Sequence, residues 1–204
     1  DDLECAWGCT QGFLKSGDSA SVPVLCVFDS EEVGSVSPQG AGSSLLEDTL
    51  GRICDSLKLH RGRMLAQSFL VSADNAHAVH PNHPEYADPS NAPVMGRGLV
   101  IKYNANLSYC TDSVSAGVFR KICGRAGVRV QTYHNRADLP GGSTLGRISL
   151  AHVSIPTVDI GLAQLAMHSC FETAAVSDAI DLENAMAAYY GATLEATQTG
   201  FVIR

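Results

Sequence analysis

The sequence predicts an α/β fold: a mainly parallel central sheet with helices on both faces. Three observations lead there. Short continuous apolar runs such as Pro23–Phe28 and Leu99–Tyr103 have the pattern of strands buried on both sides. Longer segments with a helical apolar period alternate with these runs, as they do in βαβ units. Carboxylates and imidazoles follow the runs directly, where open α/β sheets place their functional groups.

Taken in order, Leu3–Leu14 reads as a helix with Leu3, Trp7, Thr10 or Gln11, and Leu14 on one stripe. Pro23–Phe28 ("PVLCVF") is the first strand, followed by a Gly/Ser-rich loop over Ser30–Ser44. Leu45–Leu59 is helical, with Ser43 or Ser44 as its cap and Glu47 in its first turn. Ser68–Ala73 is a strand ending at Asp74; the Pro-, Asn- and His-rich stretch Asn75–Gly98 is long enough to be a functional loop. Leu99–Tyr103 is a strand, Asp112–Ala126 a helix closed by Gly127, and Val128–Tyr133 a strand. "GGSTLG" (Gly141–Gly146) opens a helix that runs to His152. Ile155–Ile160 is a strand, Phe171–Tyr190 the last long helix and Thr193–Ile203 a terminal strand. No repeat or low-complexity block interrupts this order, so the chain is one domain or most of one.

With 204 residues, 45% hydrophobic and 17% charged, the chain can bury a core and is neither a disordered tail nor a coiled coil. Its net charge of −7, without a Lys/Arg cluster, argues against nucleic acid as a partner, because no basic face replaces counterions. The most apolar stretch, Ile148–Phe171, is broken by His152, Asp159 and His168, so no membrane span is expected. The seven cysteines are scattered and form no C-x-x-C pair, a usage that suits a reducing, cytoplasmic setting.

Chemistry concentrates in three places. Adjacent Glu31 and Glu32 leave the first strand, so that one carboxylate can bind a metal ion while the other takes a proton from a water beside it. For a bare E-E-V-G, a solvated acidic turn with a Gly bend is the alternative and the commoner reading. Asp74 ends an apolar strand and precedes His77, His80 and His83. It is either a hard ligand for zinc or manganese or the cap of the next turn. His77 and His80 sit between small apolar residues and suit contact with a substrate. His168, in "QLAMHS", is a core histidine when alone and a ligand when in company; Glu32, Asp74 and His168 together describe a catalytic zinc site without thiolate, with Asp1 or Asp2 as a bridging carboxylate. Lys102 is a surface lysine or, if it points into the cleft, a charge for an acidic substrate. Gly141–Thr144 can present N–H groups to an oxyanion but lacks the lysine of a phosphate loop.

The strings "LECAWG", "FDSEEVGS", "SADNAHAVHPNHPE", "GLVIKYNANLSYCTDS", "NRADLPGGSTLG" and "IPTVDIGLAQLAMHSCFET" together resemble the aspartyl aminopeptidase family, which includes the vacuolar aminopeptidase I type. The resemblance runs in the family's order over nearly the whole chain. It implies a di-zinc metalloaminopeptidase that removes N-terminal residues, preferring Asp or Glu, from peptides with a free N-terminus. Mn2+ or Co2+ would be substitutes for the two Zn2+ ions. Carried over by position, Glu31 is the general base, and Asp1, Glu32, Asp74 and His168 are metal ligands with Asp1 as the bridge. Lys102 recognises the acidic side chain, with His77 and His80 nearby.

The chain departs from the family pattern at Gly141, where many members have Cys. The family also places a further zinc-ligating His, the first strands and a dimerisation domain ahead of the position matching Asp1. Residues 1–204 are therefore expected to be the C-terminal portion of the catalytic domain, with the N-terminal part and dimerisation domain absent. A homo-oligomer, up to a dodecamer, is implied as well. Two other readings stay open: a non-catalytic assembly subunit, and a broader aminopeptidase for neutral residues.

Overall fold

The computed structural model describes all 204 residues. Its elements are α1 (Leu3–Lys15), α2 (Leu45–Ser56), α3 (Arg61–Ala66), β1 (Leu70–Ala73), β2 (Ala76–His77), β3 (Leu99–Tyr103), α4 (Ser113–Arg125), β4 (Val130–His134) and α5 (Leu145–His152). They continue with β5 (Thr157–Gly161), β6 (Ala163–Leu165), β7 (Thr173–Ala174), α6 (Val176–Gly191), β8 (Leu194–Ala196) and β9 (Phe201–Ile203). A single 3-10 turn, Pro84–Tyr86, lies within the long loop between β2 and β3.

The main sheet has the order β1-β5-β3-β4. β1 runs parallel to β5 and β3 parallel to β4, while β3 and β5 are antiparallel with Val100 opposite Gly161. The expected mixed α/β class, with a mainly parallel sheet, holds. Side chains alternate across a strand, and the core divides accordingly. Leu99, Ile101, Val158 and Ile160 face a layer made by α1, α4 and α6, where Cys5, Phe119, Ile122, Leu182 and Met186 close the main core. Val100 faces the other way and packs with Ala76, Tyr109, Tyr133 and Ala163. α5 lies on that second side of β1, beside a small cluster of Leu46, Val153 and Ile155. Fully burying a side chain such as Phe119 or Ile101 contributes roughly 1.5–3 kcal/mol, so these layers, rather than the short ladders, hold the sheet together.

Local signals explain the helix ends. Asp112 accepts a hydrogen bond from the Ser115 N–H at 2.7 Å while the Ser115 hydroxyl accepts from the Asp112 N–H, a capping box that starts α4. Gly127, with φ +70°, turns the chain from α4 into β4.

Four expectations need correction. Pro23–Phe28 forms no strand, and its backbone pairs with nothing in the chain. A continuous apolar run specifies burial but not a neighbour, and none lies beside this one. The expected helix Leu45–Leu59 stops at Ser56, and a separate α3 follows. The last long helix begins at Val176, because Thr173–Ala174 is drawn into a ladder with β6. The expected terminal strand folds back as the β8–β9 hairpin, where Gly200 sits at φ +153° in the reversal.

Candidate metal centre

The expected site residues come from the start of α1, from the loop after Phe28, from the end of β1 and from the segment after β6. Two of these segments carry left-handed backbone at residues other than glycine. Ser30 (φ +63°) and Ser35 (φ +61°) bracket Glu31 and Glu32, and His168 itself sits at φ +66°. Such conformations cost about 1–3 kcal/mol each and persist where the surroundings over-determine them. Here they aim side chains.

Around His168 the aim converges. Its Nε2 lies 3.1 Å from Asp1 Oδ2 and 3.1 Å from Glu32 Oε2. Asp1, Glu32 and His168 thus form one group of potential ligand atoms, and Asp1, Asp2 and Asp74 form a second. Asp1 belongs to both. Asp2 completes the second group, a place that the sequence offered only as an alternative to Asp1. Glu31 stands outside both groups and makes no side-chain hydrogen bond. Burial, followed by the charges of Asp74 and Glu32, raises its carboxyl pKa. Burial and the charge of Asp74 push Asp2 up to about 7.

Glu172 is the brace that sequence reading missed. Its Oε1 accepts the His168 N–H at 2.6 Å, and its Oε2 accepts from Gln164 at 3.3 Å. The signal was present in "HSCFE", where a carboxylate four residues after the histidine can reach back over one turn.

Lys102 is 1% exposed and points across the sheet into the acidic cluster rather than to the surface. Its Nζ donates to the Asp74 carbonyl at 2.8 Å, the Asn75 carbonyl at 2.9 Å and Asp74 Oδ2 at 3.3 Å, beneath the Tyr109 ring at 5.1 Å. The antiparallel β3–β5 pairing makes this reach possible, because it brings the middle of β3 towards the end of β1. Gly161 is required at the same spot: a Cβ there would stand 2.0 Å from the Asp74 carbonyl oxygen. His77 is exposed, and the protein around it, then the charges of Lys102 and His168, lower its pKa. His80 belongs to neither group. It accepts the Asn82 N–H at 3.2 Å and its ring lies against His83. The Gly141–Thr144 loop is tied elsewhere, by the Thr144 hydroxyl donating to Asp159 Oδ1 at 2.8 Å.

The donors fit a divalent cation. Asp1 Oδ1 and Asp2 Oδ1 are buried without a hydrogen-bond partner, a costly state for a carboxylate unless a cation faces it. Oxygen donors with one imidazole and no thiolate are the chemistry of a catalytic zinc or manganese site, not a structural one. Lys102 is the one lysine or arginine among six carboxylates, Asp1, Asp2, Glu31, Glu32, Asp74 and Glu172, with the His168 imidazole beside them.

Comparison with known proteins extends this picture. The family model described as aminopeptidase I zinc metalloprotease (M18) matches residues 1–191. A probable M18 family aminopeptidase 2 of Clostridium novyi is 47% identical over 181 residues, which cover 87% of this chain and 42% of that protein. The chain thus spans less than half the length of the curated relatives it matches. Among solved structures, a chain of the Ape4 and Nbr1 complex superposes with TM-score 0.87 at 36% identity, over 94% of this chain and 38% of the other. The S. cerevisiae mApe1 dodecamer gives TM-score 0.80 at 25% identity, over 93% of this chain and 44% of its own.

Proposed function

This chain belongs to the aminopeptidase I (M18) family of zinc metalloproteases, and we propose that its acidic cluster serves the removal of N-terminal residues from peptides. The observation that carries the proposal is the convergence of Asp1 and Glu32 on His168 Nε2, with Glu31 left uncommitted beside them. Asp1, Glu32 and His168 would hold one zinc ion, and Asp1, Asp2 and Asp74 a second; Mn2+ or Co2+ suit the same donors. When bound, the metal supplies Lewis-acid polarisation and a lowered water pKa.

The chain's own residues do the rest. Glu31 accepts a proton from the attacking water at its carboxylate and returns it to the leaving amine. Its raised pKa suits that exchange. The surplus of carboxylates attracts the substrate's free α-ammonium, which favours exopeptidase cleavage. Lys102 supplies the preference for Asp or Glu. Its contact with Asp74 Oδ2 is the longest of its three and the one an incoming carboxylate would displace once a cation takes over Asp74. A second reading, a broader aminopeptidase for neutral residues, is favoured by the same lysine having three acceptors already. Assembly as a homo-oligomer is part of the proposal, supported by the dodecamer of the yeast relative.

Glu31→Gln tests the central role. Turnover of an Asp-p-nitroanilide substrate should fall by ~10²–10⁴, with zinc content unchanged. Near-normal turnover would remove Glu31 from the mechanism. A wild-type chain that binds no zinc would support a purely structural subunit instead.

A further inference from the structure

Asp159 stands fully buried in the middle of β5, and the donors to its carboxylate are neutral. A charge in that position is costly unless hydrogen bonds hold it. Oδ1 accepts the Thr144 hydroxyl at 2.8 Å, and Oδ2 accepts the Cys110 N–H. The first turn of α5 brings its positive end to the same carboxylate. A Cβ on Gly146 would stand 2.7 Å from Asp159 Oδ1, so helix and carboxylate touch. The segment Gly141–Thr144, which could face an oxyanion, thus leads into a helix that already faces an anion of this chain.

The same residue fastens the turn before α4. The β3–β5 ladder ends with Ile101 opposite Ile160, and Thr111 takes over at the next residue of β5. Its hydroxyl accepts the Asp159 N–H at 2.9 Å and faces the Asp159 carbonyl at 3.4 Å. Together with the Cys110 bond, these contacts tie Cys110 and Thr111 to a single residue of β5. Tyr109 directly precedes them. Its buried ring meets Tyr133 edge-on, with centroids 6.1 Å apart, and its centroid stands 5.1 Å from Lys102 Nζ. Burial, then the charges of Asp74 and Asp159, push the Tyr109 phenol up to about 12.

We propose that Asp159 is a positioning residue: through Cys110 and Thr111 it sets the Tyr109 ring against the Lys102 ammonium, and so fixes where that charge meets an acidic side chain. A ring attracts a cation only from a held position, and Asp159 does the holding. The consequence for an acidic side chain rests on the peptidase reading; the placement of the ring does not.

NMR of the full 204-residue chain with isotope-labelled lysine reads the placement without reference to activity. The sequence has four lysines, and Lys102→Met identifies the Lys102 ε-methylene signal by its loss. Beside the Tyr109 ring that signal should stand apart from the other three, and in Asp159→Ala it should rejoin them. Thr111→Val is isosteric, cuts the turn from β5 with the carboxylate intact, and should move the signal the same way; it decides the matter if Asp159→Ala does not fold. Asp159→Asn should keep the signal in place. Its amide oxygen can accept the Cys110 N–H while its amide N–H donates to a Thr144 hydroxyl turned to accept it. Thr144→Val, which loosens α5 but spares the Cys110 bond, should keep it too. With Asp- and Leu-p-nitroanilide, the ratio of the two kcat/KM values should fall roughly tenfold in Asp159→Ala, through KM for the Asp-substrate, and hold in Asp159→Asn and Thr144→Val. An unmoved Lys102 signal in either Asp159→Ala or Thr111→Val, once folded, overturns the proposal. An equal response in Thr144→Val overturns it in favour of general loosening, and a response of Asp159→Asn equal to that of Asp159→Ala in favour of a direct effect of charge. A moved signal with an unchanged ratio overturns its consequence for specificity. A wild type that cleaves neither substrate sinks the peptidase reading alone, and the lysine signal still decides the placement.

Discussion

Lys102 shows how one residue's role depends on what faces it. Buried ammonium groups are costly unless each N–H finds an acceptor, and here Asp74 and Asn75 provide three. From sequence, a lysine ending an apolar run reads as a surface charge or a cleft charge, and spacing cannot choose. The choice was made by the antiparallel neighbour β5, which no local pattern announces. If the ammonium also greets an acidic substrate, Lys102→Met should reduce kcat/KM for Asp- and Glu-substrates by at least tenfold more than for a Leu-substrate. Equal losses on both would reduce Lys102 to a support for Asp74. Glu31, Glu32, Asp74 and His168 were all legible as candidates because each follows an apolar run. Asp2 and Glu172 were harder to see, because their part depends on the entry angle of α1 and on the left-handed turn at His168.

Elements carry these residues to the site, and α1 is the one whose packing matters most, since Asp1 and Asp2 precede it directly. It lies against α6 so closely that Gly8 and Gly12 have no room for a side chain. A Cβ on Gly12 would stand 2.5 Å from Met186 Cβ and 2.8 Å from the Ala187 backbone nitrogen, which cannot swing away. Alanine is the better helix former by up to ~1 kcal/mol. Overpacking typically costs about 1–3 kcal/mol and should win against a backbone obstacle. Gly12→Ala is therefore expected to lower the melting temperature by several degrees and, by displacing α1, to weaken zinc binding. An unchanged zinc titration would show that Asp1 and Asp2 are placed independently of the helix. The same scale explains what sequence could read. Leu99–Tyr103 and Ser113–Arg125 were legible because the strand is buried on both sides and the helix has a capping box and a closing glycine. Pro23–Phe28 has an equally clear pattern, and it misled because pairing is a property of two segments.

At the scale of the molecule, the sheet and its helices converge on a concentration of negative charge. Asp1, Asp2, Asp74, Glu31 and Glu32 repel one another, and burial makes the repulsion more expensive, as the raised carboxyl pKa values of Asp2 and Glu31 record. A divalent cation bound only by the folded chain reverses that balance and stabilises the fold by mass action, ~2.7 kcal/mol at a hundredfold excess over its Kd. For a domain of this size each kcal/mol shifts the midpoint by roughly 2–4 °C. Saturating zinc should therefore raise the melting temperature by ~5–10 °C, and a chelator should return it to the metal-free value. His168→Ala removes a proposed ligand that is exposed and outside the core, so it should leave the metal-free melting temperature near wild type while erasing most of the gain. If wild type and His168→Ala respond to zinc alike, the ion is binding somewhere other than between Asp1, Glu32 and His168, and the convergence of these three side chains has a different purpose.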